Sequence, residues 1–199
     1  MESWIPLAVA HLRADPLLGP HLDRLPPPEL APQPDLFRWL VQAILSQQLS
    51  TRSAAAITAR FVAQFPDAEF PSPAAVASAE VDALRAAGLS RPKIAYLRDL
   101  GARCASGEID LARLPDLSDE DLAAHLTAVK GIGPWTVDML KIFALHRPDI
   151  LPLGDLGIRR GILHFAEREA MTPEEMTALA APWRPYRSAA SWFLWRLTG

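Results

Sequence analysis

The stretch DILPLGDLGIRRG, residues 149–161, places one carboxylate, Asp155, between Gly154 and Gly157 and follows it with Arg159 and Arg160. An acid in such a loop can cap the helix expected over 156–166, its side-chain oxygen accepting a backbone N–H. The positive end of that helix also favours the ionised form. The same carboxylate can hold a fixed negative charge where a reaction develops positive charge. The two roles are compatible. Other chemistries find little support. The single cysteine, Cys104, excludes an intramolecular disulfide and a four-cysteine zinc or iron–sulfur site, and it reads as a half-buried small hydrophobe. The five histidines show no metal-ligand spacing and read as helix-surface or packing residues.

A second constellation is LTAVKGIGPWTVDML, residues 126–140. A helix ends near Val129–Lys130, Gly131-Ile132-Gly133 forms the turn, and a new helix starts with Pro134 in its first turn. The glycines permit positive φ and leave backbone amides uncovered. Those amides, with the positive end of the second helix, form an anion site suited to one phosphate, while Ile132 points back into the core. An ordinary helical hairpin could also use glycine for its turn. The full pattern, with Thr136 in place, resembles the helix-hairpin-helix motif of DNA repair proteins. In that motif hairpin carbonyls often hold a monovalent cation that bridges to phosphate. The resemblance puts those carbonyls at Thr127, Val129 and Ile132.

These residues need a frame. With 199 residues, half of them hydrophobic and 22% charged, the chain can form one large domain or two small lobes. Nearly every segment reads as helix. DLFRWLVQAILSQQ has apolar residues at a period near 3.6 behind Asp35, and STRSAAAITARFVAQF repeats the pattern behind Ser50 or Thr51. Shorter helices are expected near 73–78, 80–87 and 91–104. SDEDLAAHLTAV opens on Ser118 with Asp121 three residues on, close to a capping box. No β-branched alternating run predicts a strand, so the expected class is all-α. RLPPPELAPQP, 24–34, reads as an extended connector. No apolar run approaches the ~20 residues of a membrane span, and the first residues, Glu2 among them, do not read as a signal peptide. The expected home is the cytoplasm, with activity at the nucleoid and no membrane partner. The net charge of −3 does not advertise a polyanion binder, so basic residues would have to gather on one face.

Further blocks sharpen the resemblance. LPLGDLGIRRG matches the Gly/Pro-rich loop and aspartate of the helix-hairpin-helix glycosylase superfamily. LVQAILSQQLSTRSAAAITARF resembles that family's helix–turn–helix at the DNA-facing mouth. WRPYRSAASWFLWRL resembles the closing segment of the DNA-3-methyladenine glycosylase II type. Together the four blocks cover roughly residues 36–65 and 126–199 in the right order. The resemblance implies two helical lobes with an interlobe cleft in a single glycosylase unit over 1–199. One lobe would span 35–145 and end in the hairpin, 126–140; the other would join 1–34 to 146–199.

It also implies site residues. Asp155 matches the catalytic aspartate, which would stabilise the oxocarbenium-like sugar formed as an N-glycosidic bond breaks and orient the attacking water. Members that also cut the strand carry a Schiff-base lysine where this chain has Trp135, so a monofunctional enzyme is expected. Trp135 and Trp195 fall on base-pocket positions, where indole faces attract a cationic base. The other four tryptophans read as core. Gln47 could face the pocket or solvate its turn, and Met139 stands where a pocket tyrosine can occur. A flipped base leaves a hole in the duplex; Gln48, with Leu49 beside it, occupies the plugging position. Gly131, Ile132 and Gly133 would bind phosphate, as would Arg159 and Arg160, with Arg184 and Arg187 as weaker candidates.

The resemblance therefore implies hydrolytic excision of alkylated bases from duplex DNA by a monomer. It would require no cofactor and carry no iron–sulfur cluster, with the hairpin cation as an option. The mixed α/β domain of the longer enzymes of this type is not expected before Trp4. Two alternatives stay open: a glycosylase for uracil or mismatched thymine, and a non-catalytic helix-hairpin-helix module that binds DNA.

Overall fold

A computed structural model describes residues 3–198; Met1, Glu2 and Gly199, which the expected segments include, lie outside the described residues. Those described residues hold α-helices and short 3-10 turns and no strand. Seven helices start by one local device. Asp35, Ser50, Ser72, Ser90, Ser118, Asp155 and Thr172 each accept the backbone N–H three residues on. Such a cap contributes about 1 kcal/mol by satisfying one of the first-turn amides that has no partner within the helix. The Ser118 cap is not a reciprocal box: the Asp121 carboxylate accepts the Ser118 hydroxyl instead. The full box sits at Thr172 and Glu175.

The chain divides into two compact units, 33–137 and 1–32 with 138–199. The second boundary thus falls inside a helix (Pro134–Phe143), eight residues before the expected 145/146 division.

In unit 33–137 the helices are α3 (Leu36–Ser46), α4 (Thr51–Val62), α5 (Pro73–Ser78), α6 (Val81–Ala86), α7 (Arg91–Ser106) and α8 (Asp119–Thr127); α1 and α2 precede them in the chain. The start of α9 (Pro134–Phe143) closes the unit. Leu40, Val41, Ile44 and Leu45 of α3 are all fully buried, as their spacing predicts. Phe61, Leu84, Leu97, Leu100 and Leu126 are fully buried too. α7 is the longest helix and packs on α3, α5 and α6. Its close approach to α5 depends on Gly101, where a Cβ would stand 2.7 Å from the Pro73 carbonyl oxygen.

In the other unit α1 (Ile5–Leu12), α2 (Gly19–Leu22), α10 (Leu156–Phe165), α11 (Pro173–Leu179) and α12 (Arg187–Thr198) surround Leu12, Leu18, Ile158, Ile162, Trp183 and Phe193. Residues 26–35 carry no helix, in keeping with the proline-rich connector. Trp183 and Trp192 are core residues, and Trp4 and Trp39 are half-buried. Cys104 is half-buried, and burial pushes its thiol up to about 11, so it is no thiolate at neutral pH. No helix among the described residues is long and apolar enough to cross a membrane.

Candidate active site

Asp155 caps α10. Its backbone is extended (φ −83°, ψ 126°), and Oδ1 accepts the Ile158 N–H at 3.0 Å. The same oxygen accepts the indole N–H of Trp195, from α12, at 2.9 Å. Two donors from different helices therefore fix the carboxylate's rotamer. One face of Trp195 stacks on Phe143, the ring centroids 5.6 Å apart and the planes 28° from parallel. Gly157 leaves room for this pair: a Cβ there would meet Asp155 Oδ1 at 3.0 Å and Trp195 Cδ1 at 3.1 Å. Trp195 is thus more than a stacking surface. It also orients the carboxylate, a bond that forty residues of separation hide in the sequence.

Other expected residues of this unit lie as follows. Met139 is buried at 8% exposure. Arg159 and Arg160 are exposed on α10 and line a hollow of about 270 Å³ with Leu153, Leu156, Leu163 and Met171. Arg187 departs from expectation. Its guanidinium is committed to Asp149, with Nε 2.6 Å from Oδ1 and a terminal nitrogen 3.0 Å from Oδ2, so a phosphate would have to displace a two-pronged ion pair. Arg184 also lies 3.5 Å from Asp149 but is mostly exposed.

In unit 33–137 the hairpin runs from α8 through Val129 to α9. Ile132 is buried at 4% exposure and its N–H donates to the Val129 carbonyl at 3.1 Å. The two glycines differ in function. Gly131 has φ +81°, and the Tyr96 ring lies over it, so that an added Cβ would fall 2.2 Å from Tyr96 Cδ2. Gly133 has no positive φ, and a Cβ there would meet nothing within 4 Å, so neither strain nor crowding requires glycine at this position. Trp135, at the second position of α9, is 46% exposed, unlike the core tryptophans. The Val129 carbonyl, one of the three expected to face a cation, accepts the Ile132 amide. Among the described residues no cluster of His, Cys, Asp or Glu could hold a metal.

The SQQLST turn between α3 and α4 has a left-handed residue, Gln48, at φ +59°. A non-glycine residue there carries backbone strain that its surroundings must hold. Leu49 is partly exposed. The Gln47 amide, expected to face a pocket or solvate its turn, instead donates to the Gly131 carbonyl at 2.8 Å. Lys93 of α7, which the sequence reading passed over, donates from Nζ to the carbonyls of Leu45 (2.6 Å) and Gln47 (2.9 Å). Burial pushes its pKa down. One sign was available: a lysine in the first turn of α7 opposes that helix's dipole and so calls for another partner.

Residues 41–185 match the family described as HhH-GPD superfamily base excision DNA repair protein. The chain belongs to this superfamily. It is 38% identical to DNA-3-methyladenine glycosylase 1 of Schizosaccharomyces pombe over 163 residues, 80% of this chain and 71% of that one. It is 34% identical to the putative DNA-3-methyladenine glycosylase YfjP of Bacillus subtilis over 167 residues, 81% of this chain; it spans only 58% of that relative's length. Among solved structures, DNA-3-methyladenine glycosidase of Bacillus halodurans superposes with a TM-score of 0.87 at 30% identity, covering 100% of this chain and 92% of that one. The Schizosaccharomyces pombe enzyme in complex with abasic DNA superposes with a TM-score of 0.79 at 32% identity, covering 96% and 95%. The HhH-GPD fold thus accounts for the all-helical order and the hairpin.

Proposed function

We propose that this chain is a monofunctional DNA-3-methyladenine glycosylase. It hydrolyses the N-glycosidic bond of alkylated bases flipped out of duplex DNA, as a monomer, and leaves an abasic site for base excision repair. The observation that carries the reading is Asp155, held by Trp195 and Ile158 at the start of α10 in a chain whose relatives bear this activity by name.

The chemistry follows from the parts. As the bond between C1′ and the base nitrogen breaks, its electron pair leaves with the base and positive charge grows on the sugar. The Asp155 carboxylate stabilises that charge and orients water, whose oxygen bonds to C1′ and whose proton is released. A methylated purine is already cationic, so it departs as a neutral base without a proton from a general acid. Trp135 and Trp195 offer indole faces that prefer such a base by roughly 1–2 kcal/mol. With Trp135 where strand-cutting relatives have their lysine, no amine attacks C1′, and water remains the nucleophile.

Binding is shared. Amides of Gly131 and Gly133 take one phosphate at the start of α9, whereas the expected Ile132 amide is spent on the Val129 carbonyl; a monovalent cation on the carbonyls of Thr127, Val129 and Ile132 would sit beside them. Arg159 and Arg160 are further phosphate partners, and Gln48 with Leu49 fills the gap left by the flipped base. The test is a panel of duplexes, each with one modified base, scored for abasic-site formation. Release of 3-methyladenine or 7-methylguanine supports the reading. Release of uracil or mismatched thymine alone, or of no base, overturns it.

A further inference from the structure

Three side chains of α7, spaced three residues apart on one side of the helix, meet the turn at 47–50 and the hairpin at 130–133. Lys93 donates to the Leu45 carbonyl in the last turn of α3 and to the Gln47 carbonyl just past its end, where a cation also complements that helix's negative end. Tyr96 lies on the bare face of Gly131. Asp99 accepts the Lys130 N–H at 2.9 Å and is itself braced by Arg103 at 3.2 Å. Each of the three is half-buried, beside the fully or nearly buried row Ile94, Leu97 and Leu100 that anchors α7 in the core. Gln47, tied from its carbonyl to Lys93 and from its amide to Gly131, closes the loop between the two elements.

We propose that Lys93 is a positioning residue for base flipping: it clamps the turn that presents Gln48 to the duplex and sets that turn's distance from the phosphate-binding hairpin. The inference rests on the assignment of Gln48 as the residue that enters the duplex. Gln48 is left-handed, and in this proposal the grip on the preceding carbonyls sustains that strain. Lys93 holds two of them with one compact ammonium. Without that grip the turn relaxes, and Gln48 no longer arrives in register with the gap. Asp99 and Tyr96 do the same for the hairpin, so α7 carries both elements on one rigid face. The role is geometric: Lys93 acts through Gln48 and takes no part in bond breaking.

The test separates clamping from general damage. Parent and Lys93→Met are compared on an undamaged duplex, which reads the hairpin, and on an abasic duplex with 2-aminopurine beside the gap, which reads insertion of the plugging residue. The expected result is affinity for undamaged duplex within twofold and a 2-aminopurine response reduced about tenfold, with single-turnover base release falling by a similar factor. Lys93→Arg, which keeps the charge and donors, should recover most of the response. If Lys93→Met does not fold, Lys93→Gln, which keeps one donor, should show a loss of about threefold. An unchanged 2-aminopurine response, or a parallel loss of response and undamaged-duplex affinity, overturns the clamp. If the parent releases no methylated base, the glycosylase reading fails, while the fluorescence comparison still decides the role of Lys93.

Discussion

The indole N–H of Trp195 donates to Asp155 Oδ1 at 2.9 Å, on the same oxygen that takes the Ile158 amide at 3.0 Å. The carboxylate is therefore aimed by a side chain from α12 as well as by the helix it caps. Trp195→Phe keeps an aromatic face against Phe143 and removes only the donor. Base release under single-turnover conditions should fall about tenfold, with affinity for abasic duplex little changed. An equal loss of both would mean that Trp195 acts mainly as a binding surface.

Gly157 supplies the space for that pair. In Gly157→Ala the new methyl presses on both Asp155 and Trp195, whereas alanine suits a helix better than glycine by about 0.5–1 kcal/mol. The variant should melt no lower than the parent yet release base at least tenfold more slowly. Calorimetry and a rate measurement on one preparation would show whether stability and rate separate in this way.

The two hairpin glycines should respond differently. Gly131→Ala meets both the left-handed φ and the Tyr96 ring, and should lose about 2 kcal/mol or more of stability. Gly133→Asp meets neither constraint and should fold normally, but its charge faces the phosphate and should weaken duplex affinity about tenfold or more. Backbone strain, which the sequence pattern suggests for both glycines, applies only to the first. Normal affinity in Gly133→Asp would remove the hairpin from the phosphate site.

His146 gives a pH dependence of stability. Its Nε2 is buried without a hydrogen-bond partner, its ring lies against Trp4 at 4.9 Å, and burial pushes its pKa below the usual 6.5. The unfolded chain therefore takes up a proton at higher pH than the folded one. Stability is complete above the unfolded value and is lost as pH falls below about 6.5 toward the lower folded value. His146→Asn tolerates the φ of +56° and does not titrate, so its melting temperature should fall less between pH 8 and 5. Parallel curves for parent and variant would assign the loss to other groups.

Local devices were legible in the sequence: the caps at Asp35, Ser50 and Ser118, the helix start at Asp155, and the hairpin with its buried Ile132. Each is a short pattern whose partner atoms lie within four residues. The long-range ties were not. Gln47 reaches a carbonyl 84 residues away, and Lys93 reaches carbonyls more than 40 residues back. Every residue carries such an acceptor, so the bond leaves no mark on the residue that receives it. Trp195 was visible as an aromatic expected to line a base pocket, but its bond to Asp155 depends on how α10 and α12 pack. Arg187 shows the converse: a surface arginine in the sequence, it is spent on Asp149 in the fold.

The central claim is that the Asp155 carboxylate stabilises the sugar cation, and Asp155→Asn tests it most directly. Asparagine caps a helix about as well as aspartate and can still accept the Ile158 and Trp195 N–H groups, so folding and duplex binding should stay close to the parent's. Only the negative charge is lost. Single-turnover release of a methylated purine from duplex DNA should then fall on the order of 100-fold or more. Release at the parent's rate would contradict the account.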